Sequence, residues 1–300
     1  MAERTLIILG GPTASGKTDA GIALARHFGT EVISADSRQF YQAMRIGTAR
    51  PLEHELGGVK HHFLGHLELD ETWSAGRFAR EAEAVLEELR AKHGIVVLVG
   101  GSGLYIDALV KGLDPLPTSD PRLRERLQRR IASGGLPQLI GELERLDPAT
   151  AARIDASNPH RVIRALEVCL LTGKPFSEQP TDASDRTDMR IVRIAMDVPR
   201  DELYARIDAR VDRMMAEGLQ EEASALLPHH ALNALQTVGY KELFLHFNGK
   251  LSLADAVVLI KQHSRNYAKR QMTWLRRDAA WHWVAPTDLA AMIAHVERGQ

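Results

Sequence analysis

Cysteine is almost absent: Cys169 stands alone in 300 residues. No disulfide can therefore form within the chain, and a reducing compartment is expected. Long hydrophobic runs are missing as well. No segment approaches the ~20 apolar residues that a membrane-spanning helix needs. The first apolar stretch, Thr5 to Leu9, carries no cleavage signature, so a secretory leader is not expected. Charge of either sign is not in excess: 38 Lys and Arg face 39 Asp and Glu, for a net charge of −1. A nucleic-acid-binding surface would have to be a local patch rather than a global property. Internal repeats and low-complexity tracts are lacking too. What remains is an ordinary globular composition, 44% hydrophobic and 26% charged, expected in the cytoplasm. The length suggests two domains, or one domain with a large insertion.

The most informative stretch is Gly11-Pro12-Thr13-Ala14-Ser15-Gly16-Lys17-Thr18. It follows the strand-like run Thr5 to Leu9 and precedes a helical pattern from Asp19 to Phe28 that closes at Gly29. Strand, glycine-rich loop, Gly-Lys-Thr and helix form the context of a Walker A phosphate loop. Such a loop wraps backbone N–H groups around phosphate oxygens, and the helix that follows aims its positive end at them. Lys17 adds a mobile charge, and the Thr18 hydroxyl is placed to ligate Mg²⁺. The motif binds a phosphate chain without saying which molecule carries it.

Strand patterns recur at Glu31 to Ala35 and Ile95 to Val99, with a helix over Arg77 to His93 between them. Strands alternating with helices predict an α/β fold with a parallel sheet. From Pro115-Leu116-Pro117 to about Arg190 the pattern turns helical, with Ser119 or Asp120 capping one helix and Asn158 another. This predicts a P-loop core over 1–116 and 190–300, and an all-helical insertion over 117–189, with polar residues 179–190 as the return linker. Arg190 to Val198 and Trp281 to Val284 read as further strands, with helices over 201–216, 220–227, 240–247 and 252–275.

Asp36 follows the second strand, where ligands gather in open α/β sheets. Its carboxylate is a candidate general base or magnesium ligand; capping the next turn is the plainer alternative. The strand ending at Val99 runs into Gly100-Gly101-Ser102 and offers no acid, which argues against a motor-type ATPase. Between Lys261 and Arg277 there are basic residues and no acid, so Lys261, Arg265, Lys269 and Arg276 form a patch expected to meet a polyanion. Arg210 shares a stripe with Arg206 and Arg213, but has no carboxylate at i±4, so it is the one expected to reach a phosphate. His61, His62 and His66 lack a further metal ligand and are read as structural.

Together these segments resemble the tRNA dimethylallyltransferases, or tRNA isopentenyltransferases. The resemblance runs through Ala35-Asp36-Ser37-Arg38-Gln39, Ile46 to Pro51, Gly100 to Tyr105, Asn158 to Val168, Thr172 to Ser177, Val238 to Glu242 and Ala268 to Trp274. It implies transfer of a dimethylallyl group from dimethylallyl diphosphate to the exocyclic amine of the adenosine 3′ of the anticodon in tRNA. The phosphate loop, Gly11 to Thr18 with Arg210, would then hold a leaving diphosphate, assisted by Mg²⁺. Asp36, Lys17 and Ser102 would serve catalysis. The anticodon stem-loop would meet Asp36, Ser37, Arg38, Gln39, Ser102, Arg124, His160, Arg161, Arg164, Gln236, Gly239, Tyr240, Lys241, Lys269, Arg270, Gln271, Trp274 and Arg276. Two positions depart from the family: Ser102 stands for the usual Thr, and His160 for the usual Gln. No membrane partner is implied, and a monomer is expected. The main rival is a small-molecule or nucleotide kinase on the same core. It leaves the basic helix and the arginines of the insertion unexplained. A non-catalytic RNA-binding protein would have little use for an intact Gly16-Lys17-Thr18 beside Asp36.

Overall fold

The computed structural model describes residues 4–180 and 184–298. They form two units, one of Met1–Val110 with Arg186–Gln300 and one of Lys111–Asp185. The expected change of texture at 117 and 189 thus falls a few residues late. At the junction, the Arg186 N–H donates to the Val110 carbonyl at 2.9 Å, inside the first unit. Of the linker expected over 179–190, residues 181–183 lie outside the described residues.

The first unit is built on β1 (Thr5–Gly10), β2 (Val32–Ala35), β3 (His61–His62), β4 (Ile95–Gly100), β5 (Arg190–Met196) and β6 (His282–Val284). All pair in parallel, in the order β3-β2-β4-β1-β5-β6. Its helices are α1 (Lys17–His27), α2 (Ala75–His93), α3 (Gly103–Val110), α8 (Arg200–Ala216), α9 (Leu219–Leu226), α10 (Tyr240–Phe247), α11 (Leu253–Leu275) and α12 (Leu289–Glu297). The α/β class read from the alternating pattern is what the chain adopts.

Strand β1 shows why the sheet needs cover on both faces. Its side chains alternate, as a pleat requires. Leu6 and Ile8 enter a core shared with α2, α3, α10 and α11, whereas Ile7 and Leu9 enter a second core shared with α1 and α12. All of these strand residues are fully buried. Burying each such side chain stabilises the fold by about 1.5–3 kcal/mol. Because every strand runs the same way, the turns after β1, β2 and β4 emerge at one edge.

The second unit holds α4 (Pro121–Ala132), α5 (Leu136–Leu146), α6 (Pro148–Arg153) and α7 (Pro159–Thr172), and no strand among its described residues. Asp120 caps α4, accepting from the N–H groups of Arg122 and Leu123, and Asn158 caps α7. Leu127, Leu139, Leu143, Val162 and Leu166 form its own core. Within it, Glu167 is fully buried and accepts hydrogen bonds from the Ser119 hydroxyl, the Asp120 N–H, Arg124 and Arg164. Desolvation pushes this carboxyl up, but the hydrogen bonds from Ser119 and Arg164 and the charge of Arg124 outweigh it and hold the group below its ordinary value.

Removing that carboxylate leaves Arg124 and Arg164 without their counter-charge, Arg164 keeping only the Pro117 carbonyl, so Glu167→Ala is expected to destabilise the protein by about 3 kcal/mol in urea unfolding at neutral pH. A carboxyl depressed in the folded state stabilises it above the ordinary carboxyl pKa and loses that contribution as pH falls through the folded value. The gap between wild type and variant should therefore narrow in acid.

Candidate functional site

Beyond Gly10 the chain turns into the phosphate loop with two residues in the left-handed region, Ala14 at φ 64° and Gly16 at φ 84°. Glycine accepts that conformation freely, whereas Ala14 holds it at a cost of about 1 kcal/mol. Strain of this kind at a loop before a helix turns successive N–H groups inward. Helix α1 then starts at Lys17. The Ser15 hydroxyl is buried with no hydrogen-bond partner. Thr13 to Thr18 line a cavity of about 540 Å³, together with Asp36 and Arg210. Burial lowers the Lys17 pKa to about 8; Asp36 opposes that shift and Arg210 adds to it. Arg210 is itself pushed down by burial and by Arg213, against the pull of Asp36 and Asp19. Its guanidinium donates to the Thr13 hydroxyl at 3.2 Å, so α8 delivers a second cation to the loop.

Asp36 follows β2. Its carboxylate accepts from the Arg38 N–H at 3.2 Å, so it does cap the turn. It also lines both the loop cavity and an adjoining one of about 650 Å³. The two readings of Asp36 are therefore compatible. Beside it the Ser102 hydroxyl accepts from the Ser37 N–H at 3.1 Å and donates to the Ser37 hydroxyl at 3.2 Å. Burial and the nearby Asp36 raise the Tyr267 pKa, which keeps its hydroxyl neutral. Arg38 donates to the carbonyls of Asn233 and Ala234, and Gln39 to those of Thr48 and Ala49. The turns after β1, β2 and β4 thus meet around one space.

The larger cavity is walled by α8, α10 and α11, with Arg38, Gln236, Gly239, Lys241, Tyr267 and Arg270 on its lining. Gln236 and Lys241 are exposed. Gly239 adopts φ 98°, a conformation that suits glycine, and its N–H donates to Glu242 at 2.8 Å. Tyr240 is fully buried and donates to Glu222 at 2.6 Å. Lys269 and Arg270 on α11 and Arg276 at its C-terminal cap are exposed, with Arg270 over the Tyr267 ring. Two members of the basic patch need correction. Lys261 pairs with Asp212 at 2.6 Å, and Arg265 with Asp208 at 2.5 Å. The acids absent between Lys261 and Arg277 come from α8, packed against α11. Trp274 faces inward and donates to Asp107 at 2.9 Å. Gln271 is buried and bridges two backbone groups.

In the helical unit, His160 and Arg161 are exposed near the start of α7. Arg124 and Arg164 both donate to Glu167 at 2.9 Å. His61 bonds the Val59 carbonyl, His62 bonds Glu31, and His66 packs among Phe40, Phe63 and Trp73. Each is engaged by neighbours within the fold. Sequence reasoning missed Glu222. Its carboxylate accepts from the N–H groups of Arg45, Ile46 and Gly47 and so folds that loop beside the cavity. A side chain at Gly47 would strike the Tyr240 ring at 2.6 Å, which ties the Ile46-Gly47 and Gly239-Tyr240 motifs together.

The chain matches a family model described as IPP transferase over residues 39–278. It is similar to a protein from Cytophaga hutchinsonii named tRNA dimethylallyltransferase, at 44% identity over 98% of this chain and 97% of the relative. One of the same name from Christiangramia forsetii is 47% identical, over 93% of this chain and 92% of the other. Among solved structures, the tRNA isopentenylpyrophosphate transferase of Bacillus halodurans superposes with a TM-score of 0.72 at 35% identity, covering 99% of this chain and 96% of that one. A eukaryotic dimethylallyltransferase crystallised acting on tRNA gives 0.78 at 25% identity, covering 99% of this chain and 77% of that one.

Lys17, with a pKa near 8 in the free protein, should be driven back to the ammonium form by a bound anion. A phosphate-bearing ligand is thus expected to bind with proton uptake near pH 8 and more weakly as pH rises further. Titration calorimetry in buffers of different ionisation enthalpy measures the uptake, and Lys17→Met should abolish it.

Proposed function

The chain belongs to the IPP transferase family, and on that premise we propose that it transfers a dimethylallyl group from dimethylallyl diphosphate to the exocyclic amine of the adenosine 3′-adjacent to the anticodon in tRNA, releasing diphosphate. The observation that carries this reading is Asp36, which lines both the phosphate-loop cavity and the larger cavity beside α11. A base brought through the larger space and a diphosphate held in the smaller one would meet at its carboxylate.

The steps follow from the residues. The loop N–H groups, Lys17 and Arg210 hold the diphosphate and stabilise the negative charge that builds on it as the allylic C–O bond breaks. The amine of adenine attacks the electron-poor carbon. Asp36 takes the amine proton as the C–N bond forms, a task that asks for position first. Ser102, fixed by the N–H and hydroxyl of Ser37, orients the acceptor beside Asp36. Thr18, with Asp19 and Asp36 on the same cavity wall, offers the hard oxygen donors that suit Mg²⁺. When bound, the ion neutralises charge on the diphosphate.

The exposed Lys269 and Arg270 of α11 and Arg276 at its C-terminal cap, with Arg38, Gln236 and Lys241, form the RNA-facing side in this reading. His160, Arg161, Arg164 and Arg124 do so on the helical unit. The target adenosine must leave its stack to reach Asp36, which a single-stranded loop allows cheaply. No helix among the described residues is long and apolar enough to cross a membrane. A monomer acting in the cytoplasm completes the proposal.

One incubation separates this from a kinase. Unmodified tRNA, Mg²⁺ and either labelled dimethylallyl diphosphate or γ-labelled ATP are supplied, and the labelled product is identified. Label on tRNA from the diphosphate is expected; γ-phosphate on a small acceptor would establish a kinase instead. Asp36→Ala should lower kcat by about 10²–10⁴-fold with tRNA affinity little changed, and wild-type turnover would remove Asp36 from the mechanism. Lys269→Glu should weaken tRNA binding and flatten its dependence on salt; an unchanged slope in a filter-binding series would leave Lys269 off the RNA path.

A further inference from the structure

Gln271 lies between Arg270 and Met272 on the helix that faces RNA, yet its side chain is only 5% exposed. Its carbonyl oxygen accepts from the Thr13 N–H at 2.8 Å, and its amide nitrogen donates to the Gly101 carbonyl at 2.9 Å. Those partners sit in the turns that follow β1 and β4, adjacent strands of the sheet. Thr13 is also where Arg210 binds, through the hydroxyl. A Cβ at position 101 would lie 2.2 Å from the Gln271 nitrogen, so Gly101 leaves the space this side chain occupies.

We propose that Gln271 is a positioning residue that sets the phosphate loop in its diphosphate-binding shape and links that shape to α11. The proposal rests on the transfer reaction above for the identity of the diphosphate, but its geometry concerns the loop alone. At neutral pH a primary amide offers an acceptor and donors on one planar, uncharged group. It satisfies a loop N–H and a turn carbonyl, both of which would be costly to leave bare. It also reserves the Thr13 N–H for the protein, as the Pro12 carbonyl does the Ser15 N–H at 3.3 Å, so the ligand must be met by the other loop amides. Since Arg270 is exposed next to it, a shift of α11 under bound RNA would be felt at Thr13. By linkage, RNA and diphosphate then influence each other's affinity by the same factor.

Binding of inorganic diphosphate, followed by calorimetry with and without anticodon stem-loop RNA, tests this whichever group is transferred. Gln271→Met keeps the length and removes both hydrogen bonds. It should weaken diphosphate about tenfold, leave RNA affinity near wild type, and abolish any mutual effect of the two ligands. Gln271→Glu should bind poorly at pH 8 and recover as pH falls toward 5, because a protonated carboxyl again carries a donor and an acceptor. Recovery of Gln271→Glu alongside a wild-type Gln271→Met would mean charge repulsion only and would overturn the proposal. So would loss of RNA affinity with diphosphate binding intact. Should either variant fail to fold, amide exchange in the wild-type protein decides: the Thr13 N–H must stay protected with and without diphosphate, and free exchange sinks the idea. Absence of dimethylallyl transfer by wild type, with these binding results intact, would instead count against the function proposed above.

Discussion

The site depends on one demand: backbone N–H groups turned inward by the phosphate loop must be met by something negative. Ala14 and Gly16 hold left-handed backbone to turn them, and Lys17 and Arg210 are brought to the same cavity in partial desolvation. Two cations close together in low dielectric are costly, and Asp36 and Asp19 offset that cost only in part. The rest of the unit holds it together. Parallel strands fix where the turns emerge, α8 carries Arg210, and α11 ties the loop to the neighbouring turn through Gln271.

From that demand the choice of chemistry follows. A phosphate loop that attracts negative charge stabilises either the transfer of a phosphoryl group or the departure of a whole diphosphate. What distinguishes the second is the neighbourhood of Asp36. Its carboxylate stands at a passage to a second, larger space lined by Tyr267, Arg270 and Lys241. A small phosphoryl acceptor needs no such room, whereas an extruded nucleobase does.

Much of this was legible in the residues, because the features concerned are local. The phosphate loop declares itself by fixed spacing, and the caps at Asp120 and Asn158 by residue type. The sheet's central strands stand out as apolar runs. Strand β3, only His61–His62 long, has no pattern to read. The partners of Lys261 and Arg265 were hidden for a different reason. They lie on α8, more than forty residues upstream, and only packing brings them near. Gln271 looked like one of its basic neighbours. A signal was present: it sits three residues after buried Ala268 and four before buried Leu275, on the inward face of the helix. Helical phase was a better guide there than sequence neighbourhood.

The junction at Val110 and Arg186 has a consequence for how such a chain can change over time. The last residue of α3 and the approach to β5 are already joined by a backbone hydrogen bond within the core. Whatever is spliced between them adds almost no closure entropy to the sheet. The helical segment is thus free to lengthen, shrink or be replaced by another module while the sheet and the loops at its edge stay fixed.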